Sequence, residues 1–379
     1  MEPIYLDYMA TTPIDSRVFQ AMLPYLTERK WCANASSIHH AMGQATLKAI
    51  EEHRLSICNA LNIRSEEFIF TSGATESNNI AILGAARAYQ RQGRHLITIK
   101  TEHSAVLQVF EHLEHEGFHV TYLDVNPNGL IDILALEEAI RPDTILVSVM
   151  HVNNEIGVIQ DIASIGALLR SKGILFHVDA AQSLGPLVID LSKLAVDLMS
   201  FSAHKIYGPK GIGGLFIRRK PRIQLSPIIY GGGQEQSIRP GTLPTAQIVG
   251  FAEAVRIAFE LRESEQLRLY DFRQQIYQAT KVMDNVLWNG DMEQRIAGNL
   301  NMSFIGVDGS DLISTLYPLM VSSQSACSAS LGKVSHVLQA LGRSEALARS
   351  TIRLSLGRWT AQDEVNQAIE ILTRKVGKY

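Results

Sequence analysis

The chain has 379 residues, 46% of them hydrophobic and 19% charged, which predicts two lobes with real cores. Its formal net charge of −3 and the lack of a basic cluster remove the electrostatic support that nucleic-acid binding needs, so no nucleic-acid partner is expected. Three scattered cysteines, Cys32, Cys58 and Cys327, make no disulfide framework and suggest a reducing compartment.

The opening stretch "MEPIYLDYMATTP" has neither the basic nor the apolar part of a leader. No apolar run reaches the roughly 18 residues of a membrane span. A cytoplasmic chain with no membrane partner is the expectation. From about residue 65, short apolar runs alternate with amphipathic ones. "EFIFTSG" reads as a strand, and "TESNNIAILGAARAYQ" as a helix by the spacing of Ile80, Leu83, Ala86 and Tyr89. "HLITIK" and "HVTYLDV" are strands separated by the helix "SAVLQVFEHLEHEG", which Gly117 stops. Asp132 opens the helix "DILALEEAIR". "TILVSVMHV" has the near-continuous apolar run of a strand buried on both faces. The helix "DIASIGALLRSKG" and the strands "ILFHVDAAQ" and "LMSFSAHK" follow.

This alternation predicts a mostly parallel α/β sheet covered on both faces, with ligands beyond the carboxyl ends of its strands. "YGPKGIGGLFIRR" predicts a turn into a hairpin strand. Two helical patterns, roughly 244–263 and 264–283, lead out of the sheet. A smaller α+β lobe comes next, built from "NLNMSFI", a helix near 309–317, "STIRLSLG" and a closing helix 361–375.

The polar residues ending the strands are the candidates for chemistry. Lys205 follows an apolar strand and precedes a Gly/Pro-rich turn. It is either a solvated lysine or a partly desolvated Schiff-base nucleophile. Asp179 ends the preceding strand, as a turn or capping carboxylate or as the partner of a cationic ring nitrogen. A lysine for an aldehyde and an acid for a pyridine nitrogen are what pyridoxal phosphate (PLP) requires. "TSGATESNN" offers helix N-terminal amides and Thr75 to a phosphate, or is an ordinary capping box. "GPKGIGG" is no Walker A motif, and "GGGQ" at 231–234 reads as a tight or mobile loop.

His103 in "TEHSAV" is a cap, or an imidazole over a flat ring; no second ligand at metal spacing accompanies it. Arg353, inside an apolar strand, needs a carboxylate partner, internal or on a substrate. Cys32 and Cys58 read as structural, with Cys58 in the core. Cys327 sits in "SSQSACSASLGK", a run of small polar residues that reads as a mobile loop.

Taken together, "YLDYMATTP", "FTSGATESNN", "TEHSAV", "MHVNNEIG", "FHVDAAQ", "SFSAHKIYGPKG", "RPGTLP", "SSQSACSAS" and "STIRLSLGR" carry a specific resemblance that runs almost end to end. The chain resembles the cysteine desulfurases, PLP enzymes of the class V aminotransferase group, and among them the housekeeping type that feeds iron–sulfur cluster assembly.

The resemblance implies the α/β type I fold of PLP-dependent transferases. A large domain over 15–260 would hold a mostly parallel seven-stranded sheet. Residues 1–14 and 261–379 would form the small α+β domain, which carries the cysteine loop at about 322–333. By the same resemblance, Lys205 bonds the cofactor aldehyde, Asp179 pairs with the ring nitrogen, Gln182 contacts the ring hydroxyl and His103 stacks on the ring. Ala74, Thr75, Ser202 and His204 hold the phosphate, and Asn154 lies beside the cofactor. Thr242 reaches the phosphate of a partner subunit, which implies a homodimer. Asn154 and Arg353 bind the substrate L-cysteine, Arg353 through its carboxylate. Cys327 takes the sulfur as a persulfide, leaving alanine, and passes it to an acceptor protein such as an iron–sulfur scaffold. No metal is implied in the isolated enzyme, although Cys327 is a candidate transient ligand of a cluster.

Three features depart from the family pattern: Ala35 in "NASS", Gln324 in the cysteine loop, and a chain that ends at Tyr379 where housekeeping members continue with a tail that docks the scaffold. Selenocysteine remains an alternative substrate. A class V aminotransferase is the other enzymatic alternative, but it has no use for Cys327. A binding module on the same fold has no use for Lys205, Asp179, His103 or Cys327.

Overall fold

The computed structural model describes residues 2–307, 309–323 and 334–375. Cys327 and Gln324, and with them most of the expected cysteine loop, lie outside the described residues.

Strand β1 (Ile4–Tyr5) and helices α1 (Ser16–Thr27) and α2 (Ala41–Leu61) precede the alternating region. That region runs β2 (Phe68–Thr71), α3 (Ala74–Tyr89), β3 (His95–Ile99), α4 (Ser104–His115), β4 (His119–Leu123), α5 (Ile133–Ala139), β5 (Thr144–Ser148), α6 (Ile162–Lys172), β6 (Leu175–Asp179), β7 (Leu198–Ser202) and β8 (Gly213–Ile217). The seven strands order as β2-β8-β7-β6-β5-β3-β4. Only β8 runs against the others: it is antiparallel to both β7 and β2, while the remaining pairs are parallel. The carboxyl ends of β2, β6 and β7 therefore share one edge, the place where α/β sheets bind ligands. β8 is the hairpin strand expected from "GGLFI". It fits because a Cβ on Gly214 would meet the Phe68 ring at 2.0 Å.

Local signals close the helices as the sequence suggests. The Asp132 carboxylate accepts the Leu134 amide at 2.9 Å, and Gly173 ends α6 in the left-handed region at φ 71°.

Helix α7 (Thr245–Thr280) corrects one expectation, because the two patterns form a single 36-residue helix. The intervening "LRESEQLRL" contains strong helix formers and no Gly or Pro, so nothing interrupts the hydrogen-bond ladder. The change in pattern reflects a change of core. Ala246, Ile248, Phe251, Val255 and Ala258 belong to the cluster under the seven-stranded sheet. Leu269, Phe272 and Ile276 belong to a second cluster, under a three-stranded sheet.

That sheet is antiparallel, ordered β12-β10-β9 from β9 (Val286–Trp288), β10 (Asn299–Phe304) and β12 (Thr351–Ser355). β1 pairs in parallel with β11 (Leu319–Met320), and Ile4 and Leu6 join the second cluster. The chain then crosses back, with the Thr12 amide donating to the His204 carbonyl at 3.1 Å. Cys58 is fully buried as expected, whereas Cys32 is exposed after a short turn. Among the described residues no helix is long and apolar enough to cross a membrane.

Candidate active site

A cavity of about 440 Å³ opens at the carboxyl edge of the large sheet. Its walls bring together Ala74, Thr75, His103, Asn154, Asp179, Gln182, Ser202, His204, Lys205 and Arg353. Those are all the described candidate residues except Thr242, which is exposed on a loop and lines no part of it.

Asp179 ends β6 and is nearly buried. One carboxylate oxygen accepts the Ala181 amide at 2.9 Å, the turn role anticipated for it. The other accepts the Asn78 Nδ2 at 2.7 Å. Asn78 was not singled out in the sequence, although it stands in the same "TESNN" segment. Lys205 follows β7 in a short turn, and its Nζ donates to the carbonyls of Met9 (2.5 Å) and Ala10 (2.8 Å). The Gln182 Nε2 donates to the same Met9 carbonyl at 2.9 Å. Backbone carbonyls carry no sequence signal, so this anchoring was invisible beforehand.

His103 is the N-cap of α4, its Nδ1 accepting the Ala105 amide at 3.0 Å. Nε2 is then the nitrogen left for the cavity. Burial holds its pKa below the ordinary histidine value, and the nearby Lys205 charge adds to this against the pull of Asp179. His204 is pushed down to about 4 by burial and by Lys205 and Lys210, so its imidazole is neutral at neutral pH. The Thr11 hydroxyl meets the His204 Nδ1 at 3.0 Å.

The floor near the sheet is set by a close approach. A Cβ on Gly213 would lie 2.3 Å from the Phe201 carbonyl oxygen and 2.6 Å from the Gly73 Cα, so only glycine lets the Ser72–Gly73 turn sit against β8. That turn starts the 16-residue helix α3, whose first-turn amides precede any intrahelical acceptor. Glu76 in this turn accepts the Ser72 amide and pairs with Arg239 at 3.0 Å. Burial works against the ionised Glu76, but these partners outweigh it and hold its carboxyl below the usual range.

On the opposite wall, Arg353 of β12 is buried. Its guanidinium donates to the Asn154 carbonyl (2.7 Å), to Asp7 Oδ1 (2.6 Å) and to the Ser322 hydroxyl (3.3 Å). The carboxylate partner expected for it is thus internal, and Asp7 went unnoticed in the sequence. Asn154 Oδ1 is buried with no partner among the described residues. Glu102, next to His103 in the chain, is fully buried, one oxygen accepting the Met150 amide at 2.6 Å. Burial, with the Asp179 charge nearby, pushes its carboxyl well up. Among the described residues no cluster of His, Cys, Asp and Glu could hold a metal ion.

These residues fit pyridoxal phosphate. A primary amine, a buried carboxylate fixed by two donors, an imidazole and a helix N-terminus line one cavity, and the buried Asn154 Oδ1 faces the lack of a partner that a ligand would remedy.

The class follows from this arrangement and from the sequence together: the chain belongs to the aminotransferase class-V family, whose pattern matches residues 4–368. Within it, the chain is 53% identical to the cysteine desulfurase IscS of Klebsiella pneumoniae, over 99% of this chain and 93% of that one. Among solved structures it superposes on a NifS-like protein with a TM-score of 0.90 at 33% identity, covering 99% of this chain and 98% of the other. It matches SspA in complex with cysteine with a TM-score of 0.83 at 38% identity, covering 94% and 99%.

Proposed function

We propose that this chain is a PLP-dependent cysteine desulfurase that converts L-cysteine to L-alanine and carries the sulfur away on Cys327. The observation that carries the reading is the presence of Lys205, Asp179 and His103 on one cavity at the carboxyl edge of the sheet.

When bound, the cofactor supplies an aldehyde for an amine and a cationic ring that withdraws electrons from the substrate. Lys205 Nζ, held at the Met9 and Ala10 carbonyls, is the amine and the acceptor for the substrate Cα proton. Asp179 keeps the ring nitrogen protonated, and Asn78 keeps Asp179 oriented. Gln182 would contact the ring hydroxyl. His103, with Nδ1 taken by the Ala105 amide, would face the bound ring and move protons at Nε2. Ala74, Thr75, Ser202 and His204 hold the phosphate, the neutral His204 as a hydrogen-bond donor. Asn154 and Arg353 bind the substrate, whose carboxylate shares Arg353 with Asp7 or displaces it. Cys327 forms the new S–S bond as the substrate C–S bond breaks. Its thiolate is the reactive form, and the persulfide is the sulfur carrier.

Thr242, outside its own cavity, serves the site of a second copy, which makes the active unit a homodimer in the cytoplasm. A sulfur-acceptor protein, an iron–sulfur scaffold or another carrier, then takes the persulfide sulfur. Residues 15–260 form the cofactor-binding domain, and 1–14 with 261–379 form the small domain.

Adding PLP to the purified protein is expected to give a visible absorption band from the Lys205 linkage. Lys205→Ala loses that band. A wild type that stays colourless with excess PLP overturns the reading.

A further inference from the structure

The backbone leading to Thr242 is strained. Glu235, Gln236 and Ser237 have φ of 45°, 59° and 62°, three consecutive non-glycine residues in the left-handed region. Side chains disfavour that region, so a run of three persists only where surrounding contacts impose it.

The contacts are specific. The buried Glu235 carboxylate pairs with Arg54 through two hydrogen bonds, 2.7 and 2.8 Å long. It also accepts the Phe70 amide at 2.5 Å, while Arg54 donates to the Phe68 carbonyl at 2.9 Å. β2 is the edge strand, so this ion pair closes the open side of the sheet and fixes Glu235 to it. The other side of Arg54 is held by Glu51 at 3.1 Å. Further along, Gln236 donates to the Glu66 carbonyl at 2.9 Å, and Arg239 pairs with Glu76 in the first turn of α3. The Gly241 amide returns to Gln234 Oε1 at 3.1 Å, and Gly241 itself has φ +116°.

Thr242 emerges from this scaffold into solvent, beside a groove that includes the exposed Ile38 and Leu47. Closing a strand edge needs only an acceptor and a donor. It does not need three left-handed residues, so the turn has a further purpose. We propose that Glu235 is a positioning residue for the active site of a second copy of this chain: anchored by Arg54 and the Phe70 amide, it sets the left-handed turn that presents Thr242 across the interface. The inference rests on the shared-site reading above.

Mixed dimers test it. One chain carries Lys205→Ala and an intact turn, and the other carries Glu235→Gln and an intact Lys205. Two affinity tags isolate the mixed species, and alanine formation from L-cysteine is measured with PLP present. The Glu235→Gln homodimer is expected to lose about tenfold or more in activity, with its dimeric state kept and its melting temperature lowered by the loss of the buried pair but still well above the assay temperature. The mixed dimer regains roughly half the wild-type rate, because its one intact Lys205 receives the intact turn of its neighbour.

A mixed dimer no more active than the Glu235→Gln homodimer overturns the inference, since Glu235 would then act within its own chain. So does a Glu235→Gln homodimer with wild-type activity, or one that is monomeric or unfolded at the assay concentration. Thr242→Ala mixed with Lys205→Ala separates the premise. If that pair recovers and the Glu235 pair does not, only the positioning role falls. If neither recovers, the shared site falls with it.

Discussion

Arg353 shows how much one side chain is asked to do. Its guanidinium bonds Asp7, Ser322 and the Asn154 backbone, and it lines the cavity as well. A planar fork serves several acceptors in one plane, which an ammonium cannot. Arg353→Lys is therefore expected to raise KM for L-cysteine by about tenfold or more while leaving PLP absorption intact. Steady-state kinetics with an unchanged KM would remove Arg353 from substrate binding.

His103 differs in kind. Its pKa is already held below the ordinary value, so it loses its neutral form only in more acidic solution, and proton transfer at Nε2 is retained through neutral pH. At this scale the sequence showed which residues end strands, and with them Lys205, Asp179 and His103. It could not show Asn78 and Asp7, whose partners lie 101 and 346 positions away, nor the Met9 and Ala10 carbonyls, since every residue has one.

Strand β6 illustrates the element scale. His177 lies in its middle, fully buried, with Nδ1 on the Ser148 hydroxyl of β5 (2.8 Å) and Nε2 on the Ser200 hydroxyl of β7 (3.0 Å). It links three adjacent strands, and burial pushes its pKa down to about 4. The unfolded chain binds a proton there near pH 6.5 and the folded chain does not until about pH 4. Stability is therefore complete above the unfolded value and falls as the pH drops through that window. Each such proton changes it by about 1.4 kcal/mol per pH unit. His151, buried and also held at about 4, adds to the same slope. Urea unfolding of His177→Asn is expected to give lower stability at pH 7 and a slope between pH 6.5 and 4 reduced by about one proton. An unchanged slope would contradict this.

The strands themselves were readable, since a sheet covered on both faces demands continuous apolar runs. Helix α7 was harder. Its apolar face changes where it passes from one core to the other, and a change of face looks like a break in periodicity.

The whole molecule is arranged so that residues far apart in the chain meet at one sheet edge. Residues 4–12 pair with the small sheet at Ser355 and with β11, then return to His204 and supply the carbonyls that hold Lys205. The cavity thus draws on both cores. Helix α7, packed in both, sets their spacing. The α/β architecture was legible as an alternation of patterns. The crossing N-terminal segment was not, because nothing in "LDYMATTP" says which sheet it will meet.

Cysteine turnover tests the central claim most directly. Alanine and sulfide released from L-cysteine, with a reductant present, are measured for the PLP-loaded wild type and for Cys327→Ser. Equal amounts of both products from the wild type are expected. Cys327→Ser is expected to release no sulfide while keeping the visible absorption of the Lys205 linkage. Wild-type protein that forms no alanine, or Cys327→Ser protein that releases sulfide as fast as the wild type, would contradict the account.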